Sequence, residues 1–290
     1  MTAGTAPPAP PGLRDPGRGG GAAGLARRRY LLRLLVRREL RARYQGSLLG
    51  LGWSYVRPAV GFTVYFLAVG VFLRMNESIE DFAVFLFSGM VLINFFTDTL
   101  HAATRAVRGN APLIRKIYLP RELFPVASAL VSAVHFVPGL VILTCGAVIS
   151  GWHPSPAALG AALLGFAIVA VLGMALGLLC SAYNVFYRDF EQVVDVLGIV
   201  FTWSVPMIYP WTLVRDTLPG WALELYLANP LAIAVSLFQR CFWSPGTAGD
   251  FEFPPGIVRD GLIALVLAGA LLAVAARVFD RKQTRFAEEL

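Results

Sequence analysis

Lysine is nearly absent from this 290-residue chain: Lys116 and Lys282 are the only two among 25 basic residues, and arginine supplies the rest. Acidic residues number 18, so the chain is net +7 yet only 15% charged, against about 25% in soluble domains. So little charge cannot cover the surface of a water-soluble domain, and a soluble enzyme is excluded. Cysteine occurs three times, at Cys145, Cys180 and Cys241, an odd number without CxxC or Cys/His spacing. Neither a disulfide framework nor a zinc site fits that pattern. Histidine is equally scarce, and a metal or catalytic cluster built on imidazole would need His101, His135 and His153 together. The chain also lacks GxxxxGK followed by Ser or Thr, GxSxG, HExxH and paired DxD. It therefore has no phosphate loop, nucleophile elbow or zincin helix of its own.

What it has is apolar length. Hydrophobic residues make up 57% of the chain and the mean hydropathy is +0.64. Six stretches approach the roughly 20 residues that a hydrocarbon core demands: 51–73, 82–107, 123–150, 157–183, 190–211 and 257–278. The expected fold class is an all-α polytopic membrane protein with six transmembrane helices. Arg57 and Pro58 sit near the start of the first stretch, and Asp98, His101 and Arg105 in the second half of the second.

Ahead of the spans, residues 1–24 contain five Pro and seven Gly and no apolar run. Such a segment buries too little to offset ordering entropy, so a disordered tail is expected, and it carries no signal-peptide pattern. Residues 25–45 differ, because Arg29, Arg33, Arg37 and Arg41 recur every four residues, with Leu31, Leu34, Leu35 and Ala42 roughly opposite. An amphipathic basic helix of this kind suits the headgroup layer; a solvated charged helix is the alternative.

Charge in the connections sets the orientation. Residues 1–57 hold 11 Arg against two acids, and 105–122 hold five basic residues against one acid. By contrast, 74–81 carry one Arg against three acids and 212–256 two Arg against four. Six spans with both termini in the cytoplasm place every strongly basic segment inside, as the positive-inside rule requires. The basic excess thereby falls at a membrane surface and not on a nucleic-acid-binding face. Residues 212–243 tempt a seventh span, but Asn229-Pro230 divides them and a span there would put the basic tail outside. Two short helices that dip into the outer leaflet and return are expected, with a plain surface loop as the alternative.

Three further segments stand out. Pro112, Leu113, Ile114, Arg115, Lys116, Ile117 and Tyr118 read as a helix of about two turns, with Leu113, Ile114, Ile117 and Tyr118 on one apolar face suited to a groove or to lipid. The turn YNVFYRDFEQVVD puts Asp189 and Glu191 in the first turn of the fifth span, where the dipole favours anions. PMIYP, from Pro206 to Pro210, breaks that span's far end twice. Aromatic side chains Tyr55, Phe62, Tyr65, Phe66, Phe201, Trp203 and Tyr209 crowd the first and fifth stretches, where they suit sugar stacking or an interfacial belt.

RRELRARYQGSLLGLGWSYVRP, PLIRKIYLPRELFPV, YNVFYRDFEQVVD, PMIYP and LANPL occur in that order. Over residues 25–285 the chain resembles the transmembrane subunit of bacterial ABC-2 type polysaccharide exporters, which serve O-antigen, teichoic acid and related envelope glycans. The resemblance implies an interfacial gate helix with Arg33, Arg37, Arg38, Arg41, Arg43 and Tyr44. It implies that residues 112–118 form the coupling helix, and that Tyr187, Arg188, Asp189 and Glu191 make a second cytoplasmic contact. Tyr55, Phe62, Tyr65, Phe66, Phe201, Trp203 and Tyr209 would line the conduit, and Pro206, Pro210, Asn229 and Pro230 the outer gate. As implied partners it brings two copies of a separate ATPase subunit that binds ATP and Mg²⁺, a second copy of the chain, membrane lipid and a lipid-linked polysaccharide. This chain would hold no cofactor and no metal, and no nucleic acid, and would sit multi-pass in the bacterial cytoplasmic membrane. Two departures are the Pro/Gly tail and Arg57, where an uncharged residue is expected. A different class remains open: an ion-coupled secondary transporter or embedded glycolipid enzyme using Asp98, His101 and Arg105, one helical turn apart.

Overall fold

The computed structural model describes residues 28–116, 119–187, 189–247 and 251–290, and those residues are helical without a strand. The tail at 1–24 and the side chains of Ile117, Tyr118 and Arg188 named above lie outside them. The surface helix α1 (Arg29–Tyr44) leads through a single 3₁₀ turn at Gly50–Gly52 into α2 (Trp53–Tyr65), which runs on as π-helix over Phe66–Phe72. After the short α3 (Met75–Ser78) come α4 (Phe82–Gly109), α5 (Ala111–Lys116), α6 (Leu123–Ile149) and α7 (Pro156–Asn184). Helices α8 (Phe190–Trp203), α9 (Trp211–Thr217), α10 (Gly220–Leu227), α11 (Pro230–Phe242) and α12 (Ile257–Lys282) complete the bundle, and α13 (Phe286–Glu289) closes the chain.

Among the described residues, five helical runs are long and apolar enough to cross a membrane: Trp53–Phe72, Phe82–Gly109, Leu123–Ile149, Pro156–Asn184 and Ile257–Arg285. They coincide with five of the six expected spans. The sixth differs: α8 stops after 14 residues, a rise of about 21 Å, and Ser204 to Pro210 follow as irregular chain. Helices α10 and α11 meet at a bend of 71°, the geometry of a broken span or a re-entrant loop.

Helix α4 is the axis. Phe85, Leu86, Leu92, Ile93, Phe96 and Leu100 are all but fully buried along it, and α6, α7, α8 and α11 pack around it. Where hydrocarbon replaces water there is little hydrophobic force between helices, so close approach through small residues carries the packing. A side-chain carbon at Gly177 would stand 2.6 Å from Ala103 Cβ on α4, and one at Gly165 would stand 2.7 Å from the Ala234 carbonyl on α11. Helix α7 therefore presents glycine to both neighbours.

Helices α2 and α8 are little covered. Among the described side chains of α2 only Ser54 is buried, and on α8 only Val194 and Gly198, one turn apart. A carbon added at Gly198 would meet His101 at 2.9 Å, which explains how α8 lies so close to α4 while touching little else.

Candidate functional site

At the end of the bundle where α1 and the chain's C-terminus lie, charge organises the helices. Arg105 reaches across from α4 to Asp195 on α8 at 2.9 Å and to Glu191 at 3.4 Å; Arg108 meets Glu191 at 3.4 Å, and His101 lies 3.6 Å from Asp195. Asn184 spans the same corner, donating from Nδ2 to the Thr104 carbonyl and to Glu191, both at 3.1 Å. Helical spacing groups Asp98, His101 and Arg105, and the structure gives them different neighbours. His101 and Arg105 contact α8, while Asp98, one turn earlier and within electrostatic reach of His101, lines a cavity. Glu191 is thus an ion-pair partner of α4, and Asp189, the residue that precedes α8, makes no side-chain cap. Tyr187 and Asp189 are exposed.

The basic helix α1 is anchored by polar contacts. Ser128 on α6 donates to both carboxylate oxygens of Glu39 at 3.1 Å, and Arg38 donates to Asn110 at 2.9 Å. Burial pushes the Glu39 carboxyl above its usual range, against the opposing pull of Ser128, Arg43 and Arg38. Arg43 donates to His135 Nδ1 at 3.1 Å. A guanidinium has no acceptor, so Nδ1 carries the lone pair and the ring's other nitrogen the proton. His135 Nε2–H then donates to the Tyr44 oxygen at 2.7 Å, and Tyr44 O–H donates to Ser54 Oγ at 2.8 Å. This chain ties α1 to α6 and α2 together. Arg33, Arg37 and Arg41 are exposed, as are Leu34 and Ala42, while Leu31, Leu32, Leu35, Val36 and Leu40 form the half-buried stripe. The apolar face is therefore rotated from the expected one toward α6.

The segment expected to couple forms α5, and its apolar side turns inward. Leu113 and Ile114 are half-buried, Ile114 against the cluster of Val107, Phe279 and Phe286, while Pro112, Arg115 and Lys116 are exposed. The C-terminal Phe286 is the centre of that cluster: its ring meets Phe186 and Phe279 edge-on, and the Arg121 guanidinium lies 5.8 Å from its centroid. Lys282 sits 4.4 Å from the Tyr183 ring. Close by, Glu122 is 8% exposed, and burial pushes its carboxyl up to about 7, with Asp280 adding to the rise and Arg28 opposing it. Sequence alone offered only an apolar Phe286 in a charged tail as a signal of this arrangement.

At the opposite end, the expected gate residues converge. The end of α8 and the broken chain after it leave carbonyls that side chains satisfy, two of them from α11 and its cap residue. Asn229 Nδ2 donates to the carbonyl and hydroxyl of Ser204 at 3.2 and 3.1 Å, Gln239 Nε2 to the Pro206 carbonyl at 2.7 Å, and Tyr209 O–H to the Trp203 carbonyl at 3.0 Å. Asn229 also accepts from Leu231 N–H at 3.0 Å, with Pro230 at the first helical position, so one side chain starts α11 and holds the break. Val205, Pro206 and Met207 are buried, Met207 against Gly89 of α4; Pro210 is half-buried. Outside them, the Trp211 indole donates to the Glu252 carbonyl and Arg215 pairs with Glu252 at 3.2 Å.

The aromatic residues separate into two groups. Phe62 stacks on Phe66 at 5.6 Å and meets Phe87 edge-on at 5.2 Å, and Phe201 meets Phe96 at 5.4 Å, so these rings pack on α4 within the chain. Tyr55 and Trp203 are 46% and 56% exposed on α2 and α8, and Tyr65 lines the cavity beside Asp98.

A bundle of apolar helices with a polar cavity, a broken span whose backbone is held by side-chain amides, and basic helices at one end defines a polytopic transport permease. The chain belongs to the ABC-2 type transporter family, whose pattern matches residues 30–243. It is similar to the O-antigen export system permease protein RfbA of Myxococcus xanthus, at 28% identity over 269 residues, covering 90% of this chain and 96% of that one. A Klebsiella pneumoniae protein of the same name is 25% identical with the same coverage. The capsule polysaccharide export inner-membrane protein CtrC of Neisseria meningitidis serogroup A is 23% identical over 82% of this chain and 88% of its own.

Proposed function

We propose that this chain is the membrane-spanning subunit of an ATP-driven exporter that carries a lipid-linked cell-envelope polysaccharide across the bacterial cytoplasmic membrane. The observation that carries the reading is likeness over nearly the whole length to O-antigen and capsule export permeases. Those relatives favour an O-antigen-like or capsular glycan over teichoic acid. Two copies would pair through α2 and α8, helices that their own bundle covers little. Two ATPase subunits, holding ATP and Mg²⁺, would bind at the end that carries α1, α5 and the 183–191 turn, with both termini on that cytoplasmic side. Because the apolar side of α5 is seated inward, its exposed Pro112, Arg115 and Lys116 are the surface offered to the ATPase. The irregular chain at 204–210 and the bent α10–α11 pair would form the outer gate, returning to the outer face without a seventh crossing.

Ion-coupled transport or embedded catalysis by Asp98, His101 and Arg105 is the less favoured reading, since His101 and Arg105 are engaged with Asp195 of α8. Affinity purification from native membranes tests the assignment. An ATPase subunit bearing GxxxxGK followed by Ser or Thr should co-purify, and Arg115→Glu with Lys116→Glu should release it. Purification of the chain without any such subunit would contradict the proposal.

A further inference from the structure

A cavity of about 560 Å³ opens between α1, α2, α4 and α6, within the range of small-molecule sites, about 300–1,000 Å³. Its polar and aromatic lining includes Arg43, Trp53, Arg57, Tyr65, Asn94 and Asp98. The basic side chains Arg105 and Arg108 of α4 are paired with carboxylates, but neither Arg43 nor Arg57 forms an ion pair among the described residues. Arg43 spends one donor on neutral His135 and keeps the others. Arg57 is exposed on α2, facing this space, and is within electrostatic reach of Asp98 and His135. With His135 uncharged, two guanidinium groups stand against one carboxylate, so the cavity is net positive. Guanidinium forks match phosphate oxygens in pairs. Beside them, Trp53 and Tyr65 offer ring faces, while Asn94 and Asp98 offer acceptors for hydroxyl groups. That combination of cations, ring faces and hydroxyl acceptors fits a phosphate carried on a sugar better than it fits either alone.

We infer that this cavity binds the phosphate-bearing sugar at the lipid-linked end of the exported glycan, with Arg57 and Arg43 holding the phosphate and Trp53, Tyr65 and Asp98 the adjoining sugar. The inference rests on the polysaccharide reading above and adds a residence for the substrate's charged end, inside one copy of the chain. It also gives Arg57 a function at a position where the family resemblance leads one to expect no charge. The network from Arg43 through His135 and Tyr44 to Ser54 fixes one wall of the site, so movement of α1 would alter it directly.

The full-length protein in phosphatidylcholine nanodiscs is titrated with glucose 1-phosphate, farnesyl diphosphate, inorganic diphosphate and glucose, and binding is followed by microscale thermophoresis. Glucose 1-phosphate should bind in a salt-sensitive manner, at least tenfold more tightly than glucose, inorganic diphosphate or farnesyl diphosphate. Arg57→Gln should weaken glucose 1-phosphate binding at least tenfold, Arg57→Lys less, and Arg259→Gln at the far end not at all. Equal affinity in Arg57→Gln at an unchanged melting temperature overturns the site. So does binding of inorganic diphosphate as tightly as the sugar phosphate, which marks a free-anion site, or complete competition by phosphatidylglycerol nanodiscs, which marks a lipid-headgroup site. The titration needs neither ATPase nor export. Loss of binding in Arg57→Gln from a chain that exports no glycan would thus keep the site and remove the proposed function, whereas an exporter with an unaltered titration would remove the site alone.

Discussion

The side-chain amide of Gln239 donates to the carbonyl of Pro206 at 2.7 Å across 33 residues of sequence, with Gln239 only 3% exposed. An irregular stretch of chain is tolerated at membrane depth only where its polar backbone is satisfied by protein or water. Gln239 and Asn229 meet that requirement for the break that ends α8. Replacing Gln239 by Leu keeps the volume and removes the donor, leaving a buried acceptor unmet at a cost of about 1–3 kcal/mol. Thermal unfolding in detergent should show the loss, and an unchanged midpoint would mean that the break does not depend on α11.

Arg105 and Asp195 are both about half exposed, at 51% and 48% of their side-chain surface. Exposed pairs contribute little, about 0.2–1 kcal/mol. A double-mutant cycle with Arg105→Ala and Asp195→Ala should therefore give a coupling below about 1 kcal/mol that shrinks with added salt. A coupling of several kcal/mol would show that the corner is dry and that α8 is fixed to α4 far more firmly than its two buried residues imply.

Glu122 supplies a pH dependence. Its native pKa, pushed up to about 7, lies above the ordinary 4.5. The native state thus holds the proton more tightly than the unfolded chain. The contribution to stability is full below pH 4.5, falls as pH rises through 7, and is then constant. One proton limits the slope to about 1.4 kcal/mol per pH unit. Melting temperatures measured between pH 4.5 and 8 should decline in the wild type and decline less in Glu122→Gln; parallel curves would remove Glu122 as the cause.

Burial separates two aromatic residues that sequence alone placed together. Trp203 is 56% exposed, so Trp203→Ala should leave the melting temperature nearly unchanged while lowering glycan export if the ring lines the conduit. Phe201 packs edge-on against Phe96, and full loss of a buried aromatic costs about 3–5 kcal/mol. For half-buried Phe201→Ala, roughly half of that cost is expected. Equal melting temperatures for the two variants would contradict the distinction, and normal export by Trp203→Ala would take that ring out of the path.

Five spans were legible because each is a long, predominantly apolar run, as in Phe82–Gly109, which Asp81 precedes and whose charges lie in its second half. The end of α8 was not, although PMIYP announced a break. Where the helix stops depends on Asn229 and Gln239, 25 and 33 residues further on, and pairing across such a distance leaves no local pattern. Helical spacing correctly put His101 and Arg105 on neighbouring turns of α4 but could not show that Asp195, some 90 residues away, was their partner. The apolar stripe of α1 shifted because α6 decides which side of the helix is covered. His135 carried a usable signal: a polar ring within a run otherwise fit for hydrocarbon calls for a partner, and Tyr44 and Arg43 are that partner.

Depletion of the chain in its own cells, followed by mass spectrometry of the membrane lipid fraction, tests the central claim most directly. If the chain is the export subunit, a polysaccharide linked through phosphate to a lipid should accumulate on the cytoplasmic side while the same glycan disappears from the cell surface. Restoring the wild-type chain should reverse both changes. Depletion that leaves surface glycan and lipid-linked intermediates at their normal levels would contradict the account.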